Sequence, residues 1–453
     1  MMTQHSLRTF YTLILTQVFS LIGSRISGLA ISIWVFNQTG DATPLALVSF
    51  FFIVPQVVAA GFSGVLADRW DRRYVMMLSD AGQAVGTVLL FISFASGGFQ
   101  LWHLYAVTFL QSIFGVFQGP AFQASVTMLV PDEKRDSANA IQQVTGPVAG
   151  IIAPAVAGFI YALVGVTGAI LIDLGTFVVA VLVVFFVHIP RPEISAEGRK
   201  MAGTITKEMF DGFRYLWQRR ALFWLMGFST LVNFLVGGVM ALETPYLLAR
   251  TADEATLGVL LGVLNLGALA GGIVMSIWGG TRPRIHTIMI SIFLGSIFLG
   301  LTGMAQTPLA LGGALFAFMF MLPFANAAAM SMLQAKVAPD VQGRVFAATG
   351  QVAMLMMPIA FLLVGPLADQ VFEPAVGQAG WSSVAPLVGS GAGAGMGLLL
   401  LICGLGTALL TALVYAVPAV RRIEADLPDF EAEVAATPAM PLVNPALIPD
   451  AAD

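Results

Sequence analysis

The sequence predicts an all-α membrane protein: twelve transmembrane helices arranged as two pseudo-symmetric six-helix halves. Of its 453 residues, 58% are apolar and only 10% charged, which excludes a soluble globular chain of ordinary composition. Twelve apolar runs have the length of a bilayer crossing, about 20 residues. They lie near 10–36, 45–67, 74–95, 101–130, 139–164, 166–188, 221–247, 255–279, 286–304, 308–335, 345–368 and 393–417; these are spans 1 to 12. With the N-terminus inside, 19 of the 21 Lys and Arg fall on one side, leaving Arg250 outside and Arg25 within the membrane. That asymmetry puts both termini in the cytoplasm of a multi-pass cell-membrane protein.

Each element has its own reason. Lipid offers backbone groups no partner, so the runs must be helices, and continuous apolarity excludes the alternation of a barrel. Span 1 is too long for a signal-peptide core and is expected to remain uncleaved. The lone Cys403 lies inside span 12 and excludes an intrachain disulfide. Residues 1–188 form the first six-helix half and 221–418 the second. The link 189–220 begins Pro190-Arg191-Pro192, and its later part spaces Phe210, Phe213 and Trp217 among Lys207, Arg214, Arg219 and Arg220, the pattern of an interfacial helix. The tail 419–453, rich in Ala, Pro and acidic residues, reads as disordered. A shift of 210 residues lays Arg72 over Arg282 and Gly61 over Gly271, and Val130-Pro131-Asp132 is echoed by Ala338-Pro339-Asp340. Such echoes imply related halves with a site between them near the midplane.

Between spans 2 and 3 stands Gly64-Val65-Leu66-Ala67-Asp68-Arg69-Trp70-Asp71-Arg72-Arg73. Glycine permits close helix approach, and Asp68 sits where its charge could hold a facing arginine or helix N-terminus. The segment resembles the loop signature of the major facilitator superfamily, with Asp71 in place of the second glycine. The resemblance implies that fold, alternating access, and a cytoplasmic latch of Gly64, Asp68, Arg69, Arg72 and Arg73 acting with Arg344 near the start of span 11. Gly23 through Trp34, Pro120-Ala121, Val130-Pro131, Val337 through Phe346 and Leu427-Pro428-Asp429 resemble the drug-efflux and siderophore-export branch, the drug:proton antiporters. In span 5, Gly146-Pro147, Gly150, Ala153-Pro154 and Ala157-Gly158 resemble that branch's antiporter signature, which implies export. Small residues at this spacing let helices of opposite halves press together. Span 4 departs: Gln111-Ser112-Ile113-Phe114-Gly115 stands where proton-coupled exporters carry Arg-x-x-Gln-Gly. Proton coupling through that arginine cannot be carried over.

Charges inside the membrane cost about 2.5–3.5 kcal/mol each on insertion scales and need a partner, a wet cavity or a task. Arg25 in span 1 and Asp173 in span 6 lie at similar depth and are expected to pair or share a wet pocket, with Asp173 a candidate proton carrier. Asp80, two turns into span 3, could reach the interface or Arg72, and it and Glu243 join Asp173 as candidates for proton coupling. Glu243, near the outer end of span 7, is either a gate carboxylate or a solvated one. Gln17, Gln111, Asn233, Asn265, Asn326 and Gln351 are candidate cavity groups by their helices; they bond either to substrate or between helices. Met319, Met321, Met330, Met332, Met354, Met356 and Met357 either shape an adaptable pocket or face lipid and packing partners.

The function expected is secondary active export of small amphipathic molecules, drugs, siderophores or secondary metabolites, coupled to the proton gradient. Uptake or lipid movement on the same scaffold is the alternative, and a non-transporting membrane sensor a further one. His5, His103, His188 and His286 stand apart without ligand spacing, and no phosphate-binding Gly-x4-Gly-Lys-Ser/Thr loop occurs. Neither an enzyme, a metal site, a cofactor nor an ATP-driven pump is therefore expected. The partners are a small-molecule substrate and the bilayer, not nucleic acid, and the chain is expected to be a monomer.

Overall fold

The structure, a computed structural model, describes residues 2–69, 71–131, 134–187, 213–214, 216–337 and 342–426. No strand occurs among these residues, and nine of their helices are long and apolar enough to cross a membrane. Span 1 is Met2–Thr39, span 2 Thr43–Arg69, span 3 Arg72–Ala95 and span 4 Leu101–Leu129. Spans 5 and 6 share the stretch Arg135–Phe186, which leaves helical geometry at Gly165, φ 66°. A side chain would strain that left-handed backbone. Span 8 is Glu254–Trp278, span 9 Arg284–Met304, span 10 Pro308–Lys336 and span 12 Ala394–Ala416.

Two spans are broken where the apolar pattern predicts none. Span 7 is Arg220–Met240 followed by Glu243–Thr251. Span 11 is Gln342–Met354, then Met357–Leu367, prolonged by a π-helical turn Ala368–Phe372. Hydropathy reports burial in lipid and is blind to such interruptions, whose backbone groups are satisfied by short i→i+3 bonds, as Leu355 N donates to Val352 O at 3.2 Å. Helix starts follow ordinary chemistry. Asp71 accepts from Arg73 N at 3.0 Å, Asp253 from Thr256 N at 2.7 Å and Thr307 from Ala310 N at 3.3 Å.

Span 1 packs on the span 5–6 stretch, span 2 on span 4, and span 3 on both spans 4 and 5–6. Among the later helices, span 9 packs on spans 10 and 12, span 8 on span 10, and span 7 on spans 11 and 12. The two groups meet where span 5 lies on span 8 and span 2 on span 11. The end carrying residues 40–42 is termed outer and the end carrying residue 71 inner, following the basic-residue count. A buried apolar cluster at the outer end joins both groups: Ile33, Ala42 and Ala46 with Leu242, Tyr246, Leu247, Leu257 and Val364.

The disordered tail requires correction. Residues 418–426 form two short helices against the second half, with Ile423 buried. Glu424 accepts from Ile285 N at 2.8 Å at the start of span 9 and lies 3.6 Å from Arg284, while its carbonyl accepts from Lys336 Nζ at 2.9 Å. A carboxylate suits a helix N-terminus, where backbone N–H groups lack partners. Composition alone missed this because one residue carries it. The rest of the tail from 427, and the link through 212, lie outside the described residues.

Candidate substrate cavity and outer closure

Along span 1, Gln17, Ser20, Ser24 and Ser27 recur every three or four residues. Asp80, Gln83 and Thr87 do so on span 3, and Gln111, Gly115 and Gln118 on span 4. That spacing gathers them on one face of each helix. The faces converge on a cavity of about 690 Å³ lined, among the described residues, by spans 1 to 6 alone. Gln17, Gln56, Gln83, Gln111, Gln118 and Gln142 contribute amides, and Phe52, Phe122 and Phe177 contribute rings.

Two carboxylates anchor this wall. Asp80 is wholly buried behind it and accepts from Gln118 Nε2 at 2.6 Å and from Gln17 Nε2 at 3.5 Å. Gln118 also donates to Gln17 Oε1 at 2.9 Å and accepts from Gln83 Nε2 at 2.9 Å. Gln111 Nε2 donates to Gln83 O at 3.0 Å and to Thr87 Oγ1 at 3.1 Å. Thr87 in turn donates to Asp173 Oδ2 at 3.3 Å, and Ser24 to Asp173 Oδ1 at 2.9 Å. Asp80 and Asp173 thus stand at two ends of one hydrogen-bonded system, separated by about 10 Å along span 3 at 1.5 Å per residue. Among the described residues no basic side chain lies within ion-pair distance of either. Amides do not ionise, so the network holds the carboxylates, and any proton moving between them needs water in the cavity.

This geometry corrects the expectation for Arg25. It neither pairs with Asp173 nor lines the cavity, because Ser24 faces span 6 and the next residue points about 100° away on the helix. Asp80 bonds to glutamines and not to Arg72. Of the polar candidates, Gln17 and Gln111 line the cavity and Gln351 a smaller one of about 220 Å³ between spans 2 and 11. Asn233 and Asn265 donate to carbonyls of their own helices, Ser229 O at 3.0 Å and Leu261 O at 2.9 Å, and Asn326 is exposed. Glu243 is half-buried at the break in span 7 and lines neither cavity. None of the seven methionines lines the larger cavity; Met354 borders the smaller. The reading by helix number missed Gln83, Gln118, Gln142 and Thr87. Polar residues three to four apart on spans 3 and 4, and Gln142 with Thr145 on span 5, were the signal that could have found them.

At the outer end the helix groups touch through bare backbone. A Cβ at Gly158 would sit 2.8 Å from Glu254 O, and one at Gly258 2.5 Å from Pro154 O. Gly146 of the same face lines the cavity, and Pro147 and Pro154 lie inside the helix. Span 2 is fixed to span 11 by Asp369, whose carboxylate accepts from Ala42 N at 2.8 Å, Thr43 N at 2.7 Å and Thr43 Oγ1. One group of helices therefore caps a helix N-terminus of the other. Asn37 Nδ2 adds a bond to Glu254 Oε1 at 3.2 Å. Beside the clasp, the Asp41 carboxyl is pushed above its ordinary range, first by partial burial and then by the charge of Asp369. At the inner end, the side chains of Gly64, Asp68, Arg69 and Arg344 lie outside the described residues. Arg73 is engaged within its own group: Nε donates to Val184 O at 3.2 Å, and the guanidinium lies 5.8 Å over the Phe185 ring.

Residues 13–361 match the Major Facilitator Superfamily. The chain belongs to that superfamily. It is 30% identical over 367 residues to macrolide efflux protein A of Streptococcus pyogenes, covering 80% of this chain and 90% of that one. It is 23% identical over 361 residues to the multidrug efflux pump Tap of Mycolicibacterium fortuitum, covering 77% and 86%. Among solved structures, a bacterial homologue of the human lysosomal transporter Spinster superposes with a TM-score of 0.70 at 14% identity, over 94% of this chain and 99% of that one. The nucleoside transporter NupG gives 0.67 at 13% identity, over 90% and 98%. As a member of the superfamily the chain is a membrane transporter and not an enzyme, and the all-α fold is the superfamily's own.

Proposed function

We propose that this facilitator is a secondary active exporter of amphipathic drugs, macrolides among them, working by alternating access and driven by protons exchanged at Asp80 and Asp173. Both termini lie in the cytoplasm, and one chain is the working unit. The observation that carries this reading is the pair of buried carboxylates, without cationic partners among the described residues, Asp80 bonded to glutamines and Asp173 to Thr87 and Ser24 of the wall that lines the large cavity. An uncompensated buried charge is costly, so protonation and cargo binding are natural alternatives at such a site. The similarity to macrolide efflux protein A supports the cargo, and the packing of span 5 on span 8 supports export.

Inverted membrane vesicles test both direction and coupling. Radiolabelled erythromycin is expected to accumulate when the vesicle interior is acidified and not otherwise. Accumulation in right-side-out vesicles instead would establish uptake. Asp173→Asn is expected to lower proton-driven accumulation at least tenfold, while Glu243→Gln, remote from the cavity, stays within twofold. Full coupling in Asp173→Asn would remove that residue from the mechanism. For the inner latch, Asp68→Asn is expected to impair transport severalfold with insertion intact, as read by vesicle uptake and by protein level in the membrane.

A further inference from the structure

One charge is left over by this account. Arg25 of span 1 is exposed, and among the described residues its guanidinium has neither a hydrogen bond nor an ion pair. Its place is defined by Gly150 of span 5, where a Cβ would lie 2.8 Å from Arg25 Nη1 and 2.2 Å from Asn265 Oδ1 of span 8. Arg25 and Asn265 therefore stand within about 5 Å of each other on opposite helix groups, with bare backbone between them. Just outward of this point, one and two turns along span 5, Pro154 and Gly158 press on Gly258 and Glu254 and close the molecule. The three residues form the roof beneath the outer closure, at the seam where the groups separate when it opens. A guanidinium offers five donors in a planar fork suited to oxyanions, and at this depth a cation without a counter-charge is costly.

We infer that Arg25 is the donor of an oxyanion subsite at the roof of the transport path, separate from the glutamine-lined cavity, with Asn265 Oδ1 beside it to orient the guanidinium and Gly150 leaving the room for both. It takes a carboxylate, sulfonate or phosphate group, carried by the transported molecule or by an anionic lipid headgroup entering between the halves. The inference rests on the transport reading and deepens it. Cargo bearing an acidic group engages the roof, while neutral or basic cargo uses the cavity alone. A side chain at position 150 would push aside the Asn265 amide and the Arg25 guanidinium.

The test uses full-length protein in phosphatidylcholine nanodiscs, with dansylglycine and its uncharged methyl ester as probes and fluorescence anisotropy as the readout. The wild type is expected to bind the carboxylate at least tenfold more tightly than the ester. Arg25→Gln is expected to lose that preference while binding the ester within twofold of wild type, and Arg25→Lys to retain part of it. Adding phosphatidylglycerol distinguishes the sources: a lipid occupant displaces dansylglycine from the wild type and not from Arg25→Gln, whereas a cargo site is indifferent. The inference fails if Arg25→Gln binds both dyes as the wild type does, or loses both equally. Because the ester reports on the path itself, loss of ester binding in the wild type would count against the transport reading and not only against the roof.

Discussion

Asp80→Asn is expected to abolish proton-driven accumulation, a loss of at least tenfold, while leaving the fold and erythromycin counterflow within twofold of wild type. Asparagine has the volume of aspartate. Its oxygen can still accept the short bond from Gln118, while the long 3.5 Å bond from Gln17 Nε2 gives way and is replaced when the Gln17 amide turns over to accept from the new NH2. Only the ionisable group is lost. Asp80→Ala makes the opposite comparison. It strands the donors of Gln17 and Gln118 in a buried place, at about 1–3 kcal/mol each, and should lower thermal stability along with transport. Proteoliposomes with an imposed pH gradient, set beside counterflow without one, separate the two variants. Retention of gradient-driven accumulation in Asp80→Asn would show that this carboxylate is structural and leave Asp173 alone as the coupling group.

Asp369→Ala is expected to open the outer side. Removing an N-cap acceptor costs about 1–2 kcal/mol, and here the whole loss falls on one conformation, because Asp369 caps span 2 only while spans 2 and 11 are together. At tenfold per 1.4 kcal/mol, the balance should move about 5- to 30-fold toward the outer-open state. A cysteine at Ala46, buried in the cross-group cluster, reports this in a Cys403→Ala background, reacting faster with an impermeant maleimide added from outside. Asp369→Asn keeps one accepting oxygen and should give a smaller shift. Unchanged labelling in both variants would mean that the clasp contributes nothing to closure.

These two residues also mark what could be read in advance. Asp80 announced itself, since a carboxylate in an apolar run is conspicuous, yet its partners did not. Gln83 and Gln118 become meaningful only when spans 3 and 4 turn the same faces inward. Asp369 carries no motif or apolar run to mark it, and its contact lies more than 300 positions away in the chain, at Ala42 and Thr43. Arg25 was conspicuous for the same reason as Asp80, but similar depth suggested Asp173 as its partner, whereas rotation about the helix axis sends the two to different neighbours.

The sequence by itself determined the membrane class, the all-α fold and the superfamily, because lipid imposes length, apolarity and internal hydrogen bonding on each span separately, and the loop signature is contiguous. Tertiary structure decided which polar groups share a cavity, where the halves touch, and that Glu424 and its short helices pack on span 9. Those outcomes depend on helix rotation and on close approach between distant backbones. Neither is recorded in the order of residues along one helix.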